Sequence, residues 1–149
     1  MMAQLEAITQ TLAQEMETTG TITLDGVAMH KNSTNPSPYA GLCHAAVEKL
    51  AGLVKESMPN SSVDRVSFTT VNDDAWKRSR HVIAEITTEE GVYIVDPTIR
   101  QYVPDAKMVY AESDCAESDC AESDCAESDR YPIEFYSDSI NRSNVYNNL

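Results

Sequence analysis

The apolar positions near the start of the chain recur with the period of an α-helix. They fall at i, i+3, i+7 and i+11, on one helical face: Leu5, Ile8, Leu12 and Met16. This pattern predicts a helix over residues 2–17, which Gly20 would end. Residues 21–29 are β-prone, and Asp25-Gly26 within them is typical of a turn between two strands.

A second apolar stripe with helical spacing follows a polar loop at residues 30–38. Its members are Leu42, Ala46, Leu50, Leu53 and Val54. The stripe predicts a helix that begins at Tyr39 or Leu42 and ends near Ser57, before a Pro-Asn pair. Cys43 lies beside the stripe at the start of this helix, so we expect it to be partly sheltered from solvent.

The middle of the chain predicts strands. Residues 63–71 form the first, and a polar connection over residues 72–80 follows it. Residues 81–87 and 92–98 then predict a hairpin whose turn lies at residues 88–91, where a glycine can take a positive φ.

The register of this hairpin determines whether His81 and Asp96 can meet. Pairing Thr87 with Val92 places His81 opposite Thr98 and diagonal to Asp96. A tighter two-residue loop would pair His81 with Asp96 directly. Either register puts the two side chains on the same face of the sheet, whereas a three-residue loop without a bulge would separate them.

The last third of the chain has weaker patterns. Residues 99–110 predict a strand or an irregular segment. Residues 111–129 repeat Ala-Glu-Ser-Asp-Cys three times and add Ala-Glu-Ser-Asp, which predicts a solvated low-complexity loop. Residues 131–137 alternate as a last strand would, and the Asn-rich tail from Asp138 is expected to fray. The whole, residues 1–149, predicts a single α+β domain.

The charge of the chain limits its partners. The net charge is −13, and eight carboxylates lie in the repeat, so the remainder of the chain has a net charge of −5. An acidic body argues against nucleic acid, whose phosphates need a basic face, and against an anionic membrane surface. We therefore expect neither a nucleic-acid partner nor a membrane partner.

The N-terminal residues lack the basic and apolar regions of a signal peptide, and no apolar run approaches the length of a membrane span. We therefore expect a cytoplasmic protein, or one secreted by a route that needs no cleaved signal.

Metal and cofactor sites are not predicted. The three histidines do not have the spacing of a metal-binding pair, and the repeat cysteines recur every five residues without a Cys-x-x-Cys pair. The carboxylates of the repeat lack the pattern of a calcium-binding loop. The four cysteines also do not form a disulfide framework, because three of them belong to the repeat.

Cys43, His81 and Asp96 are the candidate catalytic residues. A thiol at a helix start, an imidazole and a carboxylate are the parts of a nucleophilic site, with His81 as base and acid and Asp96 orienting its ring. Each residue also has a structural interpretation. Cys43 could be an inert core thiol, His81 a histidine at the surface end of a strand, and Asp96 a turn residue, since Asp-Pro-Thr is common in turns.

Taken together and in this order, the motifs resemble those of the transglutaminase-like branch of papain-like thiol enzymes. Gly41-Leu42-Cys43 is similar to the Gly-x-Cys helix start of that family. Residues 81–86 resemble its His-bearing strand, and residues 91–98 its next strand, which typically ends in Asp-Pro-Thr. The resemblance covers roughly residues 35–100 and implies a nucleophile helix packed on an antiparallel sheet.

The resemblance leaves the oxyanion-binding group open. The chain has no glutamine at the papain-type upstream position, and Val82 stands where such families often carry an aromatic residue. The backbone N–H of Cys43 and a side chain of the preceding loop, with Asn35 and Ser37 as candidates, could instead bind the oxyanion.

The activity that the resemblance implies is thiol-dependent acyl transfer on amide bonds of a protein substrate. Glutamine deamidation is favoured, because a small single domain of this kind resembles the deamidases and peptidases used as bacterial effectors or toxins. A cysteine peptidase and a transglutaminase are the alternatives within this chemistry. A non-catalytic interaction module that keeps the fold is the alternative outside it. The sequence names neither the substrate nor the oligomeric state.

Overall fold

The structure is a computed structural model that describes residues 2–31, 41–69, 80–101, 103, 105–111 and 140–147. These residues form an α+β fold in which helices pack on an antiparallel sheet. The elements follow one another as α1 (Met2–Thr19), β1 (Thr21–Leu24), β2 (Val27–His30), α2 (Cys43–Ser57), β3 (Ser62–Thr69), β4 (Arg80–Thr88), β5 (Gly91–Val95), a 3-10 turn (Ile99–Gln101), β6 (Val109–Ala111) and β7 (Asn141–Asn147).

The main sheet has five strands in the order β6-β5-β4-β3-β7, and every neighbouring pair is antiparallel. Strands β1 and β2 form a separate hairpin. Its two turn residues, Asp25 and Gly26, have φ values of 49° and 80°. Positive φ at both central positions matches the twist of a two-residue hairpin, so the predicted turn is confirmed.

Both predicted helices are confirmed, with small changes at their ends. Helix α1 continues to Thr19, and Gly20 ends it with a φ of 66° and a hydrogen bond from its N–H to the carbonyl of Met16. Helix α2 begins at Cys43, the later of the predicted starting regions, and ends at Ser57 as expected. Neither described helix is long and apolar enough to cross a membrane.

One hydrophobic cluster joins both helices to strands β3 to β6. Burial of these side chains removes apolar surface from water and supplies the main stabilisation of the packing. The buried members are Leu5, Leu12, Val47, Leu50, Ala51, Val54, Met58, Val63, Val82, Ala84, Ile86, Tyr93, Val95 and Val109.

Helix α2 runs alongside β4 in the same direction. Ser57 and Thr88, at the C-terminal ends of the two elements, line the same cavity. Along α2, Ser57 and Cys43 are fourteen residues apart, which corresponds to about 21 Å at about 1.5 Å per residue. Along β4, Thr88 and His81 are seven residues apart, which corresponds to about 23 Å at about 3.3 Å per residue. Because these two lengths are nearly equal, Cys43 and His81 lie at the same end of the packed helix and strand.

Several predicted strand boundaries are wrong. Strand β3 begins at Ser62 rather than at residue 63, and the pairing of Thr88 with Gly91 leaves a turn of two residues instead of the predicted four.

Strand β5 ends at Val95 rather than at residue 98, because Asp96 no longer pairs with β4 and its side chain forms a turn with Thr98, although its N–H still donates to the carbonyl of Met108 at 2.8 Å. Arg80 belongs to β4 rather than to the preceding connection. The segment predicted as strand or irregular, residues 99–110, contains both the 3-10 turn and most of β6.

The predicted fraying of the tail is wrong for residues 141–147, which form β7 along β3. Asparagine has low strand propensity, but a free strand edge supplies backbone partners regardless of side chain. Polar contacts with the sheet add to this pairing. Arg142 binds Glu85 at 2.6 Å, and the amide of Asn144 donates to Asp64 at 3.0 Å.

Ala111, the first residue of the repeat, is the last residue of β6 and not part of the predicted loop. The remainder of that repeat, the predicted connection at residues 72–79 and the predicted strand at residues 131–137 lie outside the described residues.

Replacing Gly52 with Ala should stabilise the protein by about 0.5–1 kcal/mol, because glycine is a poor residue for a helix interior. A Cβ at this exposed position of α2 would meet nothing within 4 Å. Gly26→Ala is the matched control and should destabilise by about 1 kcal/mol, because its φ is 80°. Urea denaturation midpoints measure both effects, and a loss of stability in Gly52→Ala would contradict the placement of this residue.

Candidate active site

Cys43 is the first residue of α2 and is partly buried against the hydrophobic core. Gly41, with a φ of 79°, turns the chain into the helix, and Leu42 is its N-cap residue. No side chain caps this helix start among the described contacts. The first backbone N–H groups of a helix have no partner within it and carry the positive end of the helix dipole. The thiol therefore lies at the end of α2 that favours negative charge.

Leu42 also fixes the start of α2 against the chain that carries Asp96. It is buried in a second hydrophobic cluster together with Ile99 and Met108, which flank the turn after β5. Leu42 is followed directly by Cys43, and Ile99 lies three residues beyond Asp96. This packing therefore ties the position of the thiol to that of the carboxylate turn.

His81 and Asp96 form a hydrogen-bonded pair inside the protein. Nε2 of His81 lies 2.7 Å from Oδ2 of Asp96, and both side chains have 0% exposure. A separation of 2.7 Å between a ring nitrogen and a carboxylate oxygen is typical of a charge-assisted hydrogen bond. The predicted surface position of His81, the alternative to a role in a site, is therefore wrong.

The register of the β4–β5 hairpin explains how the two side chains meet. Thr87 pairs with Val92, and the ladder extends one step further to Thr88 and Gly91. This is the register that places His81 diagonal to Asp96, so that prediction is confirmed and direct pairing of the two residues is wrong. The diagonal distance is within reach of an imidazole and a carboxylate on one face.

The second carboxylate oxygen of Asp96 holds a turn. Oδ1 accepts hydrogen bonds from the backbone N–H of Thr98 at 3.2 Å and from the Thr98 hydroxyl at 3.4 Å. An aspartate that accepts from the N–H two residues on forms an Asx-turn. Asp96 is thus both a turn residue and the partner of His81, because its two oxygens have different partners.

Phe68 packs edge-on against the His81 ring. It is the residue directly opposite His81 in the β3–β4 ladder. The ring centroids are 5.7 Å apart, and the ring planes are inclined by 78°. This arrangement is a favourable one for aromatic rings, and with Phe68 only 1% exposed it shields the imidazole from water.

The environment of His81 raises its pKa from 6.5 to about 9. Burial lowers the pKa, because it penalises the charged imidazolium. The negative charge of Asp96 and its hydrogen bond raise the pKa by more, and the proximity of Cys43 raises it further. His81 is therefore an imidazolium at neutral pH. Since Nε2 binds Asp96, Nδ1 is the ring nitrogen that can serve the thiol.

The structure thus places the three predicted residues near one another: His81 and Asp96 share a hydrogen bond of 2.7 Å, and Cys43 is close enough to affect the pKa of His81. The oxyanion candidates Asn35 and Ser37 lie outside the described residues. His44 is exposed beside Cys43, as expected of a residue at the rim of the site.

The sequence reasoning missed Phe68, Thr98 and Gln101 as parts of the site. Thr98 had a usable signal, because a hydroxyl two residues after an aspartate is a common turn partner. Phe68 had no local sequence signal, because its contact with His81 depends on the pairing of two strands.

Among the described residues, no group of three or more His, Cys, Asp or Glu side chains could hold a metal ion. In comparisons with protein-family models, curated proteins and solved structures, none matched this chain. A function for this chain must therefore be argued from the chemistry of the site itself.

The titration of His81 should be visible in both its spectrum and the stability of the protein. The pKa of His81 is about 9 in the folded protein and 6.5 in the unfolded chain. The protonated ring therefore contributes fully to the free energy of unfolding below pH 6.5, and this contribution is lost as the pH rises to 9. The loss should be on the order of 3 kcal/mol. Ring-nitrogen NMR measures the pKa, and denaturation at several pH values measures the stability.

Asp96→Asn is the matched variant, since it removes the charge and keeps the shape. Burial then dominates, so the pKa of His81 should fall below 6.5. The sign of the effect on stability reverses, with stability lost as pH falls through 6.5. Replacing His30 or His44 with Gln identifies the other histidine signals. A His81 pKa that Asp96→Asn leaves near 9 would contradict the paired arrangement.

Proposed function

We propose that this protein is a thiol amidohydrolase that acts on amide bonds of a protein substrate, with glutamine deamidation as its reaction. The observation that supports the proposal is the buried His81–Asp96 pair, with Cys43 near it at the start of α2. A helix bearing the thiol, packed on an antiparallel sheet that bears the histidine and the aspartate, is similar to the architecture of transglutaminase-like and papain-like enzymes.

The reaction begins with the thiol. An imidazolium beside a thiol favours the thiolate, which is the nucleophilic form. The thiolate of Cys43 attacks the carbonyl carbon of the substrate carboxamide, and the C=O electron pair moves to oxygen. Asp96 holds the ring of His81 in one orientation and stabilises its positive charge through Nε2.

The tetrahedral intermediate then collapses. His81 donates the proton on Nδ1 to the nitrogen, ammonia leaves, and a thioester to Cys43 remains. Neutral His81 next takes a proton from a water molecule, which attacks the thioester. Release of the Cys43 thiolate leaves a glutamate side chain where glutamine stood, and His81 is again protonated.

The negative charge that develops on the carbonyl oxygen needs donors. The start of α2 offers the backbone N–H of Cys43, and the dipole of the fifteen-residue helix has its positive end there. This N–H is part of the helix framework, so it is oriented before substrate arrives.

The fate of the thioester separates three related reactions. Water gives deamidation when the amide belongs to a glutamine side chain, and peptide hydrolysis when it belongs to the backbone. A substrate amine instead of water gives transglutamination. We favour deamidation because the domain that carries this site resembles the small protein deamidases of the related branch.

The reactivity of Cys43 tests the proposal without knowledge of the substrate. At pH 6.5, iodoacetamide should alkylate Cys43 at least about tenfold faster than the repeat cysteines, because an imidazolium near Cys43 favours its thiolate. His81→Gln should remove this advantage. Trypsin separates the two classes of thiol, since Cys43 lies in residues 32–49 and the repeat cysteines in residues 108–130. Equal rates in the wild-type protein would support the inert-thiol interpretation.

The products identify the reaction. Incubation with a denatured glutamine-rich protein should release ammonia and add about one dalton to the target for each converted glutamine. Cys43→Ser should reduce the rate at least about 1000-fold. New chain ends would indicate a peptidase, and amine-linked products a transglutaminase. An unreactive Cys43 with none of these products would support a non-catalytic interaction module.

A further inference from the structure

The carboxylate of Asp96 needs a fixed orientation. It must reach diagonally across the hairpin to His81, and either of its oxygens could do so after a rotation of the side chain. The backbone of Asp96 is anchored, because its N–H donates to Met108 and its carbonyl accepts from Ile99 at 3.4 Å. These backbone bonds do not set the plane of the carboxylate.

Thr98 supplies the contacts that set this plane. Its backbone N–H and its hydroxyl both point to Oδ1, at 3.2 Å and 3.4 Å. Two donors on one oxygen direct the other oxygen, Oδ2, to Nε2 of His81 at 2.7 Å. Thr98 is completely buried, and its branched side chain has few accessible rotamers.

Gln101 orients the hydroxyl of Thr98. Its side-chain amide donates to Thr98 Oγ1 at 3.2 Å. A hydroxyl that accepts this bond keeps its own hydrogen for a different acceptor, which here is Asp96. The 3-10 turn carries Gln101 back towards Thr98, since the N–H of Gln101 also donates to the Thr98 carbonyl at 3.1 Å.

We infer that Thr98 is a positioning residue of the site, whose hydroxyl, oriented by Gln101, holds the Asp96 carboxylate so that Oδ2 faces His81. The hydrogen bonds run from Gln101 to Thr98, then to Asp96 and His81, and Cys43 lies near His81. The inference rests on the proposed function for its role in catalysis, but the orientation itself can be measured on His81 whether or not the protein is an enzyme.

Removal of the Thr98 hydroxyl should change the pKa of His81, and the direction of this change distinguishes positioning of the Asp96 carboxylate from an electronic effect on it. A donor to Oδ1 withdraws electron density from the carboxylate. If that were its main role, removing the hydroxyl would make Oδ2 a better acceptor and would raise the pKa of His81. If the hydroxyl positions the carboxylate, its removal loosens the bond to Nε2, and burial then lowers the pKa of His81.

Thr98→Val and Thr98→Ser form the test pair. Valine keeps the shape and the backbone N–H but lacks the hydroxyl, whereas serine keeps the hydroxyl. Ring-nitrogen NMR of the full chain should show a His81 pKa at least about 0.5 lower in Thr98→Val, and a value close to wild type in Thr98→Ser. Alkylation of Cys43 at pH 6.5 should slow in Thr98→Val and recover in Thr98→Ser.

An unchanged or higher His81 pKa in Thr98→Val would overturn the inference, as would an equal fall in both variants. If Thr98→Val does not fold, Gln101→Met replaces it, because it keeps Thr98 and removes only the donor that orients the hydroxyl. It should lower the His81 pKa in the same direction by a smaller amount, and no change would overturn the inference. Failure of the proposed function looks different, since Cys43 would then be unreactive in the wild-type protein while the pKa differences persist.

Discussion

The structure around Cys43 depends on one buried interaction, the bond between Nε2 of His81 and Oδ2 of Asp96. Both side chains are fully buried. Taking an imidazolium and a carboxylate out of water costs several kcal/mol for each ion, and their attraction offsets this cost only when the geometry is good. Well-packed apolar residues are often as stabilising as a buried ion pair. The pair is therefore poorly explained as a device for stability, which favours the catalytic role that we propose for it.

The geometry of this pair constrains its neighbours. A slip of one residue between β4 and β5 would place Asp96 on the opposite face from His81. Strand β5 must also end at Val95, because the side chain of Asp96 needs the turn that Thr98 closes. On the other side of β4, the pairing with β3 sets Phe68 against the ring. The bond between His81 and Asp96 thus depends on the β4–β5 register, on the end of β5 and on the turn that Thr98 closes.

The sequence predicted the parts of the fold that local patterns determine. The apolar period located both helices, Asp25-Gly26 located a hairpin turn, and Thr87 paired with Val92 as one of the predicted registers requires. It did not predict β7, since the pairing of an Asn-rich tail depends on a free edge of β3 that only the folded sheet presents. It also treated the turn role of Asp96 and its role beside His81 as alternatives, although a carboxylate has two oxygens and can fill both.

The position of Cys43 gives the strongest reason to regard the pair as part of a reactive site. A structural cysteine is usually surrounded by apolar side chains, and nothing in that role requires a cation. Here the thiol lies at a helix start and near a buried imidazolium, and both environments favour an anion. These two features come from different elements, α2 and β4, and they converge only because the helix and the strand have matched lengths and the same direction. The charge of the His81 imidazolium is costly to bury. Asp96, which Thr98 holds in place, compensates this charge, and Phe68 shields it from water. Among these residues, Cys43 is the neighbour of His81 with nucleophilic chemistry.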